Sequence, residues 1–385
     1  MATLPPIVEM IRALVAEPSV SSADAELDRS NRAVIDLLAG WCEDAGLEVT
    51  LLPSPGVEGK TSLVARKGGL TGGLALAGHT DTVPGDVRGW TSDPFVATER
   101  SGALFGLGTA DMKGFLAIAL HVAADTDADS LRKPLHFVAT ADEETTMSGA
   151  RALLAAGLPV ADTVVIGEPT GLVPVRMHKG VLVERIRLEG RSGHSSDPRL
   201  GRSALEGMHR VMTALMALRD DLVTRHREPA FDVPGPTLNL GKIRGGDSAN
   251  RICAECELHV DMRLLPGMDL DATRLMLRDT VRGAVAGTDL DVHVDSPFEG
   301  IPAFATAADA PIVRLAERVT GTGARAVSFG TEAPFFERLG MSCLVCGPGD
   351  IGVAHAPDEH LPLDRIPSTV ALLRAMVHEH CMKES

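Results

Sequence analysis

Five residues of this chain have the types and the placement for metal-assisted chemistry: His79, Asp111, Glu144, Glu168 and His355. GLALAG runs into His79, LHFVATA into Asp142-Glu143-Glu144, and DTVVIG into Glu168. SCLVCGPG leads toward His355, and Asp111 closes GLGTAD directly before a helical stretch. Open parallel sheets bind ligands beyond the carboxyl ends of their strands, so one cleft can gather all five. Carboxylates crowd together at a large repulsive cost unless a cation neutralises them. Two histidines with three carboxylates suit zinc or a similar transition metal. If one carboxylate bridges, each of two metals has three protein ligands and an open position for water. Asp81, two residues after His79, can point the same way along a strand and accept the other imidazole N–H. Singly, each residue has an ordinary explanation: Asp111 as a helix cap, Glu143-Glu144 as a helix-start preference, Glu168-Pro169 as a turn. Jointly, four apolar strand ends bearing acids or histidines point to a site.

The elements that must position these residues alternate. Residues 5–16 and 24–46 have helical spacing, with Ser21 or Ser22 as N-cap candidates. Strand-like runs follow at 61–66, 73–78, 135–141 and 162–168, with helical stretches at 114–126 and 148–157. That order implies an α/β fold, a largely parallel sheet with helices on both faces. The texture changes near residue 180, where VLVERIRLEG alternates apolar and charged residues. A helix over 203–224, strands at 237–246 and 251–265, a helix near 270–286 and a strand at 288–295 complete a β-α-β-β-α-β order, that of a ferredoxin-like α+β unit. The helix/strand alternation then resumes. The expected organisation is a three-layer α/β domain (1–180 and 297–385) interrupted by an inserted domain at 181–296.

Composition narrows the function classes. The 385 residues carry 37 Lys plus Arg against 52 Asp plus Glu, a formal charge of −15, which argues against nucleic-acid binding. There is no tyrosine, so no tyrosine acid, base or nucleophile takes part. No run of about 18 apolar residues offers a membrane span, and the N-terminus lacks the pattern of a secretory signal. Six cysteines in a chain this long suggest reduced thiols and a cytoplasmic location. Cys253/Cys256 and Cys343/Cys346 form C-x-x-C pairs, but both lie in strand-like segments, where residues three apart face opposite sides. A zinc ribbon is therefore disfavoured.

The segments GHTDTVPG, GLGTADMKGFLA, ATADEETTMSGAR, IGEPT, GRSGHSS and GPGDIGVAHAPDEHL closely resemble the zinc aminoacylase and exopeptidase family, in order and across essentially the whole chain. PVRMHKG and SFGTEAPFF are most similar to its acetylornithine deacetylase branch. The resemblance implies a dinuclear metal amidohydrolase with two Zn2+, Co2+ being a possible substitute. His79 and Glu168 would hold one metal, Glu144 and His355 the other, and Asp111 would bridge them. Asp81 would orient His79, Glu143 would be the general base, and the Asp111–Met112 peptide would be cis. His194, in the inserted dimerisation and lid domain, would reach the partner subunit's site in a homodimer and assist the oxyanion. Arg251, after Asn250, would bind the substrate carboxylate. Gly330, Thr331 and Glu332 would line the pocket, with Glu332 facing a basic side chain by its charge. Lys113 and Lys179 are read as solvated surface cations. The implied substrate is a small N-acyl amino acid, first N2-acetyl-L-ornithine on the route to arginine. N-acetylcitrulline, succinyl-diaminopimelate or a small peptide are the alternatives. Asp350, Ala356 and His360 depart from the family's usual wording, which touches the rim of the site and not its ligands.

Overall fold

A computed structural model describes residues 4–85 and 88–382. The chain divides into two compact units: Met1–Arg176 with Thr306–Arg325 and Thr331–Ser385, and Met177–Ala305 with Ala326–Gly330. The breaks read from texture, after 180 and after 296, are displaced from these bounds. The return segment Ala326–Gly330 carries no texture signal of its own.

In the first unit the strands Leu135–Thr140, Leu74–His79, Thr163–Ile166 and Ser342–Val345 lie side by side and parallel. Glu48–Pro53 and Thr61–Lys67 extend the sheet antiparallel beyond Leu135–Thr140. The parallel strands Leu74–His79, Leu135–Thr140 and Thr163–Ile166 are buried at every residue, which is why they read as continuous apolar runs without alternation. Leu74, Leu76, Leu135, Phe137 and Ala139 enter one core with the helices Ile7–Val15, Lys113–Asp125 and Arg365–Cys381. Lys113–Asp125 is apolar nearly all round and correspondingly buried. The helix Ser148–Ala156 packs instead on the antiparallel strands and on the helix Ala333–Arg338.

One helical expectation is shortened. The second helix runs Arg32–Asp44, not from 24. Residues 22–31 are held by side chain-to-backbone bonds that compete with helix. The N–H of Ser22 donates to Asp28 Oδ1 (3.1 Å), and that of Asp24 to Ser22 Oγ (3.1 Å). The buried Asn31 donates to Thr61 O (2.8 Å) and to Thr80 Oγ1 (2.7 Å), tying this turn to the sheet.

The second unit has strands Gly180–Glu189, Thr237–Gly245, Glu255–Leu264 and Asp291–Asp295 with helices Ala204–Arg225 and Leu270–Ala284. Across the antiparallel sheet the order is Thr237–Gly245, Glu255–Leu264, Gly180–Glu189, Asp291–Asp295, the arrangement of a ferredoxin-like unit. Ser203 and Asp269 cap the two helices, accepting from the N–H of Glu206 and Ala272. The alternation of VLVERIRLEG conceals one exception. Glu184 shares the inward register of Leu182, Ile186 and Leu188 and is fully buried. Its carboxylate accepts from Arg274 Nε (3.1 Å) and from Arg278 Nε and Nη2 (3.0 and 2.9 Å). The charge is tolerated there because it is paired and hydrogen-bonded.

The surface reading of the two lysines is corrected. Lys113 and Lys179 are each 1% exposed. Lys113 Nζ donates to the carbonyls of Leu14 and Glu17, and Lys179 Nζ to those of Val233 and Gly235. Both tie loops together through backbone oxygens. All six cysteines are free and buried. Among the described residues no helix is long and apolar enough to cross a membrane.

Candidate metal centre

Because four neighbouring strands are parallel, their carboxyl ends open on one edge of the sheet. His79 is the last residue of its strand. Glu168 follows Thr163–Ile166 after Gly167, where an added Cβ would lie 1.9 Å from the Phe115 ring, so only glycine fits. Glu143 and Glu144 follow Leu135–Thr140 in a turn that opens at Asp142, whose φ is +61°. Asp142 accepts from the hydroxyls of Thr145 (2.6 Å) and Thr146 and fixes that turn. The Asp111–Met112 peptide is cis.

These loops bring the five expected residues together. Asp111 faces both histidines: its Oδ1 lies 3.1 Å from His79 Nε2 and its Oδ2 3.2 Å from His355 Nε2. Glu168 Oε2 is 3.9 Å from His79 Nε2, and Glu144 Oε1 is 3.0 Å from His355 Nε2. Among the described residues three sets have ligand atoms within 4.8 Å of one another: His79, Asp111 and Glu168; Asp111, Glu144 and His355; and His79, Glu143 and Glu144. His79, Asp111 and Glu168 are buried, whereas the His355 side chain is half exposed.

Asp81 orients the site differently from expectation. The partner of His79 Nδ1 is the Asp81 backbone carbonyl (3.0 Å), while the carboxylate stands 3.7 Å away. That carboxylate instead accepts the backbone N–H groups of Glu143 and Glu144, both at 3.1 Å. A carbonyl can only accept, so Nδ1 carries a proton, and Nε2 is the ring nitrogen that faces Asp111 and Glu168.

The electrostatics fit a cationic occupant. Burial pushes Glu168 well above the usual carboxylate range, and neighbouring Asp111 and Glu332 add to it. Burial and the Glu168 charge do the same to Glu143. Burial disfavours a charged His79, but the Asp111 hydrogen bond and surrounding carboxylates outweigh it and hold its pKa well above normal. Hydrogen bonds to Asp111 and Glu144 raise His355 to about 10. Among the described residues Glu168 Oε1 is buried with no hydrogen-bond partner. Convergent nitrogen and oxygen donors with excess negative charge are the ligand chemistry of a borderline-soft divalent ion.

The remaining expected residues fall elsewhere. In the second unit His194 is exposed, its Nδ1 2.7 Å from Ser196 Oγ, and it forms a β-bridge with Arg251. The N–H of Ser195 donates to Asn250 O (3.1 Å). Arg251 pairs with Asp247 (2.8 Å) and borders an open cleft of about 820 Å³ with Ser195, Ser203 and Ser248. Gly330 belongs to the second unit. Thr331 and Glu332 have no exposed surface, which does not fit a pocket wall. Glu332 Oε2 accepts from Thr140 Oγ1 (2.8 Å), and burial raises its pKa to about 7 against the opposing effect of that bond. Glu332 thus braces a site strand and offers no face to a substrate ammonium. Thr140 and Glu359 have structural roles at the site that sequence reading left unassigned. A threonine ending an apolar run, and one of the two acids in PDEHL, carry no distinguishing signal.

Fold and donor set together define a metallohydrolase. The description of peptidase family M20/M25/M40 matches residues 75–379, and the chain belongs to that family. It is 47% identical over 380 residues to the acetylornithine deacetylase of Edwardsiella ictaluri (strain 93-146), covering 99% of each chain. The acetylornithine deacetylase of Proteus mirabilis (strain HI4320) is likewise 47% identical over 381 residues, 99% of this chain and 98% of that one. Among solved structures, an M20 family metallo-carboxypeptidase from Sulfolobus solfataricus matches with a TM-score of 0.75 at 18% identity, covering 97% of this chain and 99% of that one. A dinuclear metal binding peptidase of the M20 family from Bacillus subtilis matches with a TM-score of 0.66 at 16% identity, covering 97% of each. At these identities the structural likeness speaks for the fold.

Proposed function

We propose that this protein hydrolyses N2-acetyl-L-ornithine to L-ornithine and acetate, a step toward arginine, with two zinc ions held by His79, Asp111, Glu144, Glu168 and His355. The substrate is carried by one observation: 47% identity across nearly the whole chain to two acetylornithine deacetylases. His79 and Glu168 would hold one ion and Glu144 and His355 the other, with Asp111 between them. Co2+ suits the same donors.

When bound, the two cations supply Lewis acidity toward a water and the acyl carbonyl. Glu143 accepts the proton of that water as it attacks the carbonyl carbon, then delivers it to the leaving nitrogen. Asp81 aims Glu143 through its backbone N–H. With no tyrosine in the chain, His194 serves as the further donor to the developing oxyanion, supplied by the partner subunit of a homodimer. Two features of the second unit support such a dimer. Thr237–Gly245 is an edge strand, unpaired on one side among the described residues, and such edges invite pairing with another chain. The helix Ala204–Arg225 exposes Leu205, Met216 and Val223. Arg251 binds the substrate carboxylate. The buried free thiols suit a reducing cytoplasm.

The test is a panel of N-acyl amino acids assayed with zinc or cobalt. We expect N2-acetyl-L-ornithine to give the highest kcat/KM, exceeding N-acetylcitrulline, succinyl-diaminopimelate and small dipeptides by at least about tenfold, a difference of 1.4 kcal/mol in transition-state stabilisation. Preference for a peptide or a succinyl substrate would overturn the assignment while leaving the metal centre standing.

A further inference from the structure

Resting on the two-cation reading above, we propose that Glu359 is a positioning residue that presets the cation site of Asp111, Glu144 and His355. Glu359 is 1% exposed. Its Oε1 accepts the N–H groups of Ala110 (2.8 Å) and Asp111 (3.0 Å). Two successive amides of one short loop thus converge on one carboxylate oxygen, a backbone nest for an anion. Gly108 makes the convergence possible with a φ of +85°. The Glu359 backbone takes part too, since its carbonyl accepts from Gly106 N (3.0 Å). The loop held in this way ends at Asp111, whose two oxygens face the two histidines.

Glu359 also belongs to the segment that carries His355. The imidazole of His355 is half exposed and its φ is +58°, so packing alone does not place it. The segment that follows is firmly anchored. Asp358 accepts from the N–H (3.0 Å) and hydroxyl (2.9 Å) of Thr91 and pairs with Arg100 (3.2 Å). His360 stacks on Phe105 with ring centroids 4.6 Å apart. His360–Pro362 pairs with the strand Ala103–Phe105. Glu359 therefore staples the His355 segment to the Asp111 loop, fixing two of three ligands of one cation relative to each other. His79 and Glu168 stand at strand ends and gain nothing from this staple. The two cation sites should thus respond unequally to its loss.

The test uses the full chain made metal-free, as wild type, Glu359→Gln and Glu359→Ala, titrated with Co2+ and followed by visible absorption, with thermal unfolding in parallel. Glutamine keeps the shape but replaces one acceptor oxygen with a donor, so it loses part of the nest. We expect one Co2+ affinity to stay near wild type in Glu359→Gln and the second to fall about 10–100-fold, the usual loss when a residue supporting a metal ligand is removed. Raising Co2+ should restore kcat of this variant, and Glu359→Ala should lose more of the second affinity. Unchanged affinities in both variants, or two affinities falling equally and only in step with the unfolding temperature, would overturn the inference alone. A wild-type chain that binds fewer than two Co2+ would overturn the two-cation reading, and this inference with it.

Discussion

Replacing Glu143 with alanine is expected to lower kcat for N2-acetyl-L-ornithine by about 10²–10⁴-fold, the range carried by a positioned acid or base, while both cations stay bound. Metal retention follows from the geometry. Two complete ligand sets, His79 with Asp111 and Glu168, and Asp111 with Glu144 and His355, form without Glu143. The backbone of Glu143 is pinned by Asp81 whatever its side chain, so truncation should leave Glu144 in place. The competing assignment is specific, because Glu143 also lies in a third set with His79 and Glu144. Metal analysis of the purified variant beside its kinetics separates the two. Loss of one metal equivalent would mean that Glu143 is a ligand and that the roles of the adjacent glutamates are reversed.

Asp111→Asn is expected to do the opposite, emptying the centre and abolishing turnover, with kcat/KM down on the order of 10³-fold or more as the Lewis-acid contribution of several kcal/mol disappears. Asp111 is the only residue common to the two proposed ligand sets among the described residues, and each of its oxygens faces a different histidine. Asparagine preserves shape but turns one oxygen into an NH2 group that repels a cation. The Ala110 and Asp111 N–H groups keep their acceptor on Glu359, so the loop should hold and the unfolding temperature should stay near that of the metal-free wild type. A variant that still binds two cations and turns over at near the wild-type rate would show that Asp111 does not bridge.

The proposed ligands were legible in the sequence as a cluster because strand ends are legible. Uniformly apolar runs locate parallel strands; His79 ends one of them, and Glu168 and Glu144 stand two and four residues beyond theirs. The β-α-β-β-α-β order was equally plain, since alternation and helix caps such as Ser203 mark antiparallel strands and helix starts. What escaped was the direction of side chains within that frame. Nothing in the letters says that Asp81 gives its carbonyl to His79 and its carboxylate to the Glu143–Glu144 turn. Charge suggested exposure for Lys113 and Lys179 and a pocket-facing place for Glu332, yet all three are buried, as is Glu184, each bonded to distant backbone or side chains. A charged residue's partners come from elements far along the chain, and local pattern holds no record of them.

The most direct measurement is hydrolysis of N2-acetyl-L-ornithine by the full chain after thorough chelation, followed as Zn2+ is returned in known equivalents. No turnover is expected of the metal-free protein, with recovery complete only as the second equivalent binds. Undiminished turnover by a chain shown to be metal-free would contradict it.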